Sequence, residues 1–326
     1  MNLKGYQKLS VSRFITEYIE IKTNPFFIKL PKLITLDAYN TIYSTKKPVL
    51  DIYVETYNSF LIDETKKLKK IHKEIMYENF PMIFKKHMLK YPNYGKLASI
   101  PASEWWCILI KLTFEQVNVF LNKEQSLEIL ELFKGKVYES FPDLEQLLQT
   151  VRSNSKTKIG ICSNTDPLFN NIMEKLKNDN QKFVMPDKEF IFLSYDINLK
   201  KNKSGEFFKT VFNLTQKEIK DLKPDECWHI GDELENDLLG SVVSGWKGIC
   251  IDRGDTYGFF SQESQSGTMS NENITLNKIN KTARQIFDEG KTCKDIVLLK
   301  NGGIIVRNMF VLEEIFMALK SFNKSC

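Results

Sequence analysis

The chain has 326 residues, enough for one large α/β domain with an insertion or for two domains of ordinary size. Its 46 lysines and arginines exceed its 41 acidic residues, a net charge of +5 spread along the sequence, and only five of the basic residues are arginine. Arginine is the preferred residue for hydrogen bonds to nucleic-acid bases and for bidentate contacts with phosphates, so this composition argues against a nucleic-acid-binding surface.

Cysteine usage and apolar runs restrict the compartment. The six cysteines show no CxxC pair and no metal-like spacing, which favours a reducing intracellular location, the cytoplasm or nucleus. No apolar run is long enough to span a bilayer, so no membrane association is expected. Lys4, Lys8 and Arg13 precede any acid, which leaves a mitochondrial presequence as the alternative to the N-terminal helical extension that we predict over residues 1–30.

The first predicted strand leads directly into a candidate catalytic loop. Lys32–Leu36 is short, apolar and rich in β-formers, which predicts a buried strand of a parallel sheet. It is followed by Asp37-Ala38-Tyr39-Asn40-Thr41. An acid at the carboxyl end of such a strand lies where open α/β sheets bind their ligands, so Asp37 is a candidate nucleophile.

The next ninety residues have a helical pattern. Helices are predicted over Ser103–Leu121 and Gln125–Phe133, and the turn composition of Tyr91–Gly95 separates them from an earlier helix. The block therefore predicts an α-helical insertion after the first strand. We expect Trp105 and Trp106 to pack in the core of this insertion, and a role in covering a substrate is the alternative.

The α/β alternation resumes at Phe141 and predicts a doubly wound parallel sheet. Four further buried strands end on polar residues: Lys158–Cys162 before Ser163 and Asn164, Glu189–Leu193 before Ser194, Cys227–Ile230 before Asp232, and Lys247–Ile251 before Asp252. The polar stretch 254–278 predicts a mobile surface loop, and a short strand at Ile304–Val306 and a helix over Phe310–Leu319 end the domain.

Polar groups at these strand ends match the demands of phosphoryl transfer. Because the carboxyl ends of the strands meet in one crevice, residues far apart in sequence come together there. Hydroxyl and amide groups of Thr41, Ser163 and Asn164 are candidate phosphate ligands. Asp232 and Asp237 are spaced to hold Mg²⁺ together with Asp37, although two acids at this point could also simply cap a helix.

A lysine is expected to neutralise charge at the site. Lys200, Lys201 and Lys203 all follow the strand-end Ser194. In the family that the motifs described next resemble, a lysine followed by proline lies a few residues past such a serine, and a buried aromatic residue comes after it. This resemblance favours Lys201, with Phe207 at the aromatic position, but no proline supports this choice, and Lys200 and Lys203 stay open as alternatives.

These motifs carry a family resemblance. Asp37-x-x-x-Thr41 and Gly231-Asp232-x-x-x-Asn236-Asp237 resemble the first and last motifs of the haloacid dehalogenase (HAD) superfamily. The helical insertion is most similar to the subgroup of haloacid dehalogenase-like hydrolase domain-containing protein 3 and its fungal relatives. The resemblance implies a Rossmann-like core over residues 31–49 and 138–326, with a helical cap of the C1 type over residues 50–137.

The resemblance also implies an activity, and Tyr39 casts doubt on it. Phosphatases of the superfamily carry a second aspartate two residues after the first, as general acid and base, and here that position holds Tyr39. A phenol with a pKa near 10 is a poor base at neutral pH, and losing a general acid–base typically costs about 10²- to 10⁴-fold. The family's usual metal ligand at this position is the backbone carbonyl, so Mg²⁺ binding is still expected.

Three hypotheses follow for a catalytic set of Asp37, Tyr39 and Lys201. The first is a weak or specialised Mg²⁺-dependent hydrolase of a small phosphate ester. The second is a catalytically impaired binding or regulatory protein, whose protein partners the sequence does not indicate. The third is a 2-haloacid dehalogenase, since those enzymes carry Asp-x-Tyr-Gly-Thr. They use no metal, however, and their last motif differs from the one here.

Overall fold

The computed structural model describes residues 5–21, 28–60, 71–154, 156–261 and 279–324. The strands of these segments are β1 (Tyr6–Ser10), β2 (Leu33–Leu36), β3 (Tyr43–Thr45), β4 (Tyr138–Ser140), β5 (Lys158–Ser163), β6 (Ile191–Leu193), β7 (Cys227–Gly231), β8 (Lys247–Ile251), β9 (Asp295–Leu299) and β10 (Ile304–Val306). The helices are α1 (Val11–Ile15), α2 (Val49–Ser59), α3 (Lys73–Lys90), α4 (Ala102–Glu115), α5 (Lys123–Leu132), α6 (Pro142–Asn154), α7 (Leu168–Asp179), α8 (Ser194–Ile197), α9 (Glu206–Thr215), α10 (Gly240–Val243), α11 (Ala283–Gly290) and α12 (Met309–Lys324). A π-helical turn, Thr16–Glu20, follows α1, and a second, Leu234–Leu239, precedes α10.

The main sheet is mostly parallel, which confirms the predicted α/β class. Its strand order is β1-β9-β10-β8-β7-β2-β5-β6. Among the described residues of this sheet, only β9 is antiparallel to its two neighbours, β1 and β10. In the centre, Leu36 pairs with Ile161 of β5 on one side and with Ile230 of β7 on the other. The carboxyl ends of β2, β5 and β7 are therefore adjacent, and this places their following residues in one crevice.

Both faces of the sheet are covered by helices. Ile34 and Leu36 of β2 pack in a hydrophobic cluster with residues of α6, α7 and α12, whereas Leu33 packs in a separate cluster with Phe207 and Phe208 of α9. This alternation follows from the two-residue period of a strand. Because all four residues of β2 are buried, the strand does not alternate between apolar and polar residues, and Thr35 is its single polar residue.

The helices α2 to α5 form a hydrophobic cluster of their own above the carboxyl ends of the strands. Trp105 and Phe114 of α4 are fully buried in it, and Tyr53 of α2 stacks on Phe114 with ring centroids 6.2 Å apart. The short antiparallel pair β3 and β4 lies at the two points where the chain enters and leaves this helical insertion. The sequence pattern did not predict these two strands, because three residues are too few to show a period.

The first residues of the N-terminal extension and the start of the polar loop differ in structure from what the sequence predicts. Tyr6–Ser10 is a strand, not part of a helix, and it extends the sheet by pairing with β9. Only Leu9 of this strand is buried, so the pairing depends on backbone hydrogen bonds that leave little hydrophobic signal. At the start of the predicted loop, Asp255 accepts hydrogen bonds from the amides of Phe260 and Ser261, so residues 254–261 have a defined structure. The rest of that loop, 262–278, lies outside the described residues.

None of the described helices is long and apolar enough to cross a membrane.

A buried ion pair, Asp143 with Arg253, supports the candidate catalytic loop that follows β2. Asp143, at the start of α6, accepts from the Arg253 guanidinium at 3.0 Å and from the Met309 amide at 2.9 Å. Arg253 lies over the Phe141 ring at 3.8 Å and donates to the carbonyl of Asn40 at 2.8 Å. Asn40 has a positive φ of 58°, so this bond helps to hold a turn that few residue types adopt. The pair thus joins β8, α6, α12 and the loop after β2.

We expect Asp143→Ala to lower the free energy of unfolding by about 3–5 kcal/mol, because it leaves Arg253 charged, buried and without its carboxylate. Asp288→Ala is the matched control, since this exposed acid also pairs with two cations but is well solvated. Urea unfolding followed by circular dichroism measures both. Equal, small effects of the two substitutions would contradict a supporting role for the Asp143–Arg253 pair.

Candidate active site

Asp37 lies at the centre of the crevice. It follows β2 directly, and its amide donates to the Ile230 carbonyl of β7 at 2.8 Å, which continues the sheet pairing by one residue. Burial raises the pKa of Asp37 to about 6, and the charge of Lys201 opposes this rise. The carboxylate is therefore a buried anion that needs a neighbouring cation.

Lys201 supplies that cation. Its ammonium donates to Asp37 Oδ1 at 2.6 Å and to the Cys162 carbonyl at 3.0 Å, and it also pairs with Asp237. Burial disfavours the ammonium, but the two carboxylates outweigh burial and raise the pKa of Lys201 above its usual value. Among the three candidate lysines, only Lys201 is buried at the site, and Lys200 and Lys203 are exposed.

Asn164 positions Lys201 through a reciprocal pair of hydrogen bonds. Its side-chain amide donates to the Lys201 carbonyl at 2.8 Å, and its side-chain oxygen accepts from the Lys201 amide at 2.6 Å. Both ends of the Asn164 side chain are thereby used in holding the lysine segment. The side chain thus orders the site as well as lying at its edge.

Asp237 is fixed by three donors. Besides Lys201, its carboxylate accepts from His229 Nε2 at 3.0 Å and from the Glu233 amide at 2.8 Å. Burial alone would raise its pKa, but Lys201 and the His229 hydrogen bond outweigh burial and hold the pKa of Asp237 well below its usual range. Asp237 is therefore ionised.

His229 is neutral and has a defined tautomer. Burial lowers the pKa of His229 to about 4. Its Nε2 faces the Asp237 carboxylate, which can only accept, so Nε2 carries the proton. Its Nδ1 then accepts from the Thr35 hydroxyl at 2.9 Å. Sequence reasoning missed His229, because a histidine inside an apolar strand gives no local signal of a partner eight residues away.

The three acids predicted to hold a metal lie together. Carboxylate oxygens of Asp37, Asp232 and Asp237 are all within 4.8 Å of one another, and all three acids are near or inside the core. The Asp232 carbonyl accepts from the Tyr257 hydroxyl at 3.2 Å, which fixes the loop after β7. Hard oxygen donors of this kind suit Mg²⁺, so the residues present fit the ion that the fold family uses.

Tyr39 packs against aromatic rings. It makes edge contacts with Tyr43 and Tyr138, with ring centroids 6.3 Å and 6.5 Å apart, and these two residues belong to β3 and β4. It also lines the cavity above Asp37. The side chain at this position thus forms part of an aromatic wall and offers no carboxylate.

The structure separates the candidate phosphate ligands. Ser163 is buried at the end of β5 and lines the cavity, as does Asn164. Thr41 is fully buried, is not among the cavity-lining residues, and its hydroxyl has no hydrogen-bond partner in the described part of the chain.

Two hydrogen bonds join the helical insertion to the loop after β5. Trp106 Nε1 donates to Asp166 Oδ2 at 2.7 Å, and the Tyr94 hydroxyl donates to the Asn164 carbonyl at 2.5 Å. Trp106 is therefore only half-buried and lines the cavity, unlike Trp105. Trp105 thus packs inside the core of the insertion, as expected, and Trp106 packs against the edge of that core. Trp106 also faces the cavity, because its indole N–H finds an acceptor across the crevice.

A mostly parallel sheet that gathers an aspartate, a lysine and two further acids at its strand ends, beneath a helical insertion, defines the class of HAD-like α/β proteins. A model of the haloacid dehalogenase-like hydrolase family matches residues 31–244. The chain belongs to this family.

Relatives in three organisms support the assignment. The chain is 34% identical over 295 residues to an uncharacterized protein of Saccharomyces cerevisiae. The matched region covers 88% of this chain and 93% of the yeast protein. The chain is 28% identical over 217 residues to a putative uncharacterized hydrolase of Schizosaccharomyces pombe, 66% of this chain and 88% of that protein. The rhythmically expressed gene 2 protein of Drosophila melanogaster is 28% identical over 184 residues, 53% of this chain and 67% of that protein.

A solved structure shares the fold. L-2-haloacid dehalogenase from Xanthobacter autotrophicus superposes with a TM-score of 0.55, over 88% of this chain and 99% of that chain. At 12% identity, this similarity concerns the fold alone.

We expect Lys201→Met to lower the free energy of unfolding at pH 7 by about 3–5 kcal/mol, because it leaves two neighbouring buried carboxylates without a cation. Without Lys201, the folded-state pKa of Asp37 rises further above its unfolded value. An acid with a raised pKa loses stability as pH rises, so the deficit of the variant should shrink between pH 7 and pH 5.

Lys203→Met is the control, since this exposed lysine lies two residues away. Urea unfolding of wild type and both variants at the two pH values measures the differences. A deficit of Lys201→Met that is independent of pH would argue against the assigned ion pairs.

Proposed function

We propose that the protein is a Mg²⁺-dependent hydrolase of a phosphate monoester, with Asp37 as the nucleophile. The observation that carries this proposal is the buried Asp37 carboxylate, paired with Lys201 and gathered with Asp232 and Asp237 within 4.8 Å. A carboxylate can attack phosphorus, and a fixed ammonium beside it can offset the charge of the phosphate oxygens.

Each residue of the chain has a distinct role in this proposal. Lys201 orients Asp37 and neutralises charge, and Asn164 and Asp237 hold Lys201 in place. Ser163, at the cavity surface, is placed to donate its hydroxyl to a phosphate oxygen. Mg²⁺ would be held by Asp37, Asp232 and Asp237, and when bound it would reduce the repulsion between the nucleophile and the substrate.

Tyr39 limits the rate that this site can reach. A superfamily phosphatase protonates the leaving oxygen and activates water with a carboxylate at this position, and a phenol replaces these functions poorly at neutral pH. The proposal is therefore a slow or specialised hydrolase. Complete loss of turnover, with binding retained, is the second candidate function, and the same replacement by Tyr39 favours it.

We expect weak Mg²⁺-dependent release of phosphate from phosphate esters by the wild type, none by Asp37→Asn, and an increase on the order of 10²-fold in Tyr39→Asp, which restores the acid–base group. Tyr39→Asn is the matched control, because it opens the same space without supplying a carboxylate. Steady-state phosphate release with and without a chelator measures all four proteins.

Turnover that survives in Asp37→Asn would refute the nucleophile assignment. Ion binding without turnover, even in Tyr39→Asp, would favour the binding protein. Halide release from 2-haloacids without metal would establish dehalogenation instead.

Binding of the ion is tested separately from turnover. We expect Asp232→Asn to weaken Mg²⁺ binding by more than about tenfold, since even partners outside the ligand shell contribute that much to metal affinity. Glu235→Gln is the control, because this exposed acid lies three residues away and pairs only with Lys203 in the described structure. Isothermal titration calorimetry measures the affinities, and equal affinities for the two variants would rule out Asp232 as a ligand.

A further inference from the structure

A cavity of about 640 Å³ lies between Asp37 and the helical insertion. Cavities of roughly 300–1,000 Å³ bury most of the surface of a drug-sized ligand. At about 30 Å³ per water, this cavity has room for about 20 water molecules, far more than a phosphate group or a small haloacid fills. The site is therefore built for an ester whose organic part is large.

The helical insertion contributes an apolar and aromatic surface to this cavity. It includes Phe80, Phe84, Trp106, Ile110 and Phe133. Among the described residues, the insertion contributes no charged side chain to the lining. The charged side chains of the lining all come from the sheet domain, and they are Asp37, Asp166, Lys200, Lys201 and Glu233. The cavity thus has a charged floor and an apolar roof.

This division restricts the organic part of a ligand. A sugar or glycerol moiety would place hydroxyl groups against the rings of Phe80, Phe84 and Phe133, which have no polar atom. Each hydroxyl left unsatisfied there costs roughly tenfold or more in affinity. A ring system gains from burial and from edge or offset contacts with aromatic walls. Such walls are present, since Trp106 stacks with Tyr94 at 6.0 Å and is tilted against Phe84 at 6.4 Å.

Asp166 orients the indole of Trp106. Both of its carboxylate oxygens accept hydrogen bonds, one from Trp106 and one from the Leu168 amide at 2.8 Å. Asp166 is therefore a positioning residue for the roof of the cavity. Burial raises the pKa of its carboxyl group, and the two hydrogen bonds oppose this rise. This arrangement holds the indole at one angle toward a ligand above Asp37.

The replacement of the acid–base carboxylate by Tyr39 points independently to the same ligand class. With only the weakly acidic phenol of Tyr39 in place of a carboxylic acid, an aliphatic alcohol leaves largely as an alkoxide, whose conjugate acid has a pKa near that of water, about 15.7. A phenol has a pKa of about 10 and leaves readily as an anion. The missing carboxylate therefore slows the hydrolysis of a phenyl phosphate far less than that of an alkyl phosphate.

We propose that the substrate is the phosphate monoester of a phenol, with its ring system under Trp106 and Phe84 and its phosphate at Asp37. This inference rests on the proposed function. An oxygen of the Asp37 carboxylate forms a bond to phosphorus, the bond from phosphorus to the aryl oxygen breaks, and the aryl oxide leaves with the electron pair and takes a proton from water. A second water then attacks phosphorus, and the bond from phosphorus to the Asp37 oxygen breaks with its electron pair, which restores the Asp37 carboxylate. Inorganic phosphate leaves with one proton of that water, and the other proton neutralises the hydroxide formed in the first half-reaction.

The two half-reactions differ in their need for a carboxylate at position 39. The first half-reaction needs little help with a phenolic leaving group. The second lacks a base for water, so the phosphorylated enzyme accumulates. The phenol is therefore released in a burst of about one equivalent per enzyme before steady phosphate release, the kinetic sign of a covalent intermediate.

The first test measures binding without turnover. Naphthyl phosphate, glycerol phosphate and glucose phosphate are titrated in the presence of Mg²⁺ into Asp37→Asn, in which Lys201 keeps Asp237 as a partner. We expect naphthyl phosphate to bind roughly 100-fold more tightly than the other two, since only its ring system buries apolar surface. Equal affinities for the three esters would overturn the proposal.

The second test compares variants of α3. With Asp37 retained, Phe84→Ala should raise the KM for naphthyl phosphate roughly tenfold with a smaller change of kcat, and should change the KM for glycerol phosphate much less. Met82→Ala is the control, because Met82 is exposed on the same helix and does not line the cavity. If Phe84→Ala does not fold, Leu89→Glu tests the same wall, since Leu89 lines the cavity mouth and is 75% exposed.

The outcomes separate this proposal from the proposed function. Tight binding of naphthyl phosphate without any phosphate release refutes the hydrolase and leaves the ligand class standing. Faster turnover of glycerol phosphate or glucose phosphate than of naphthyl phosphate retains the hydrolase and refutes the ligand class. Simultaneous release of naphthol and phosphate from the first turnover, with no burst, refutes the leaving-group argument.

Discussion

The ammonium of Lys201, held between the carboxylates of Asp37 and Asp237, is the interaction on which the site depends. One cation faces two buried anions and offsets the repulsion between them. Its position is set by backbone and amide contacts, since the Cys162 carbonyl and the Asn164 side chain fix the lysine segment. Three strand ends are thus joined through one side chain. The arrangement leaves a net negative charge, which is the condition for attracting a divalent cation.

Much of the fold could be predicted because its central strands are buried on both faces. Leu33–Leu36 and Cys227–Gly231 are short buried runs of mostly apolar residues, and such runs are a strong signal even in a single sequence. The strand at Tyr6–Ser10 could not be predicted, because an edge strand is held by backbone hydrogen bonds that any sequence can make. The pair of Tyr43–Thr45 with Tyr138–Ser140 was equally invisible, since it joins segments almost a hundred residues apart and each is only three residues long.

The residues of the site that directly follow a strand could be predicted from the sequence. Asp37, Ser163 and Asp232 each follow a strand, so topology alone brings them together. The supporting residues follow a different logic. His229 acts on Asp237 from inside a strand, and Trp106 reaches Asp166 from the helical insertion. Such contacts depend on the orientation of one element relative to another, and this orientation has no signature in spacing.

Tyr39 connects the chemistry of the site with the shape of the cavity above it. At this position a carboxylate would place a second charged group beside Asp37, whereas the phenol extends the aromatic wall formed with Tyr43 and Tyr138. The same substitution therefore replaces a carboxyl group by a much weaker acid and adds apolar surface. A ligand that benefits from the second change and tolerates the first must be both aromatic and a good leaving group, and few classes of phosphate ester other than those of phenols have both properties.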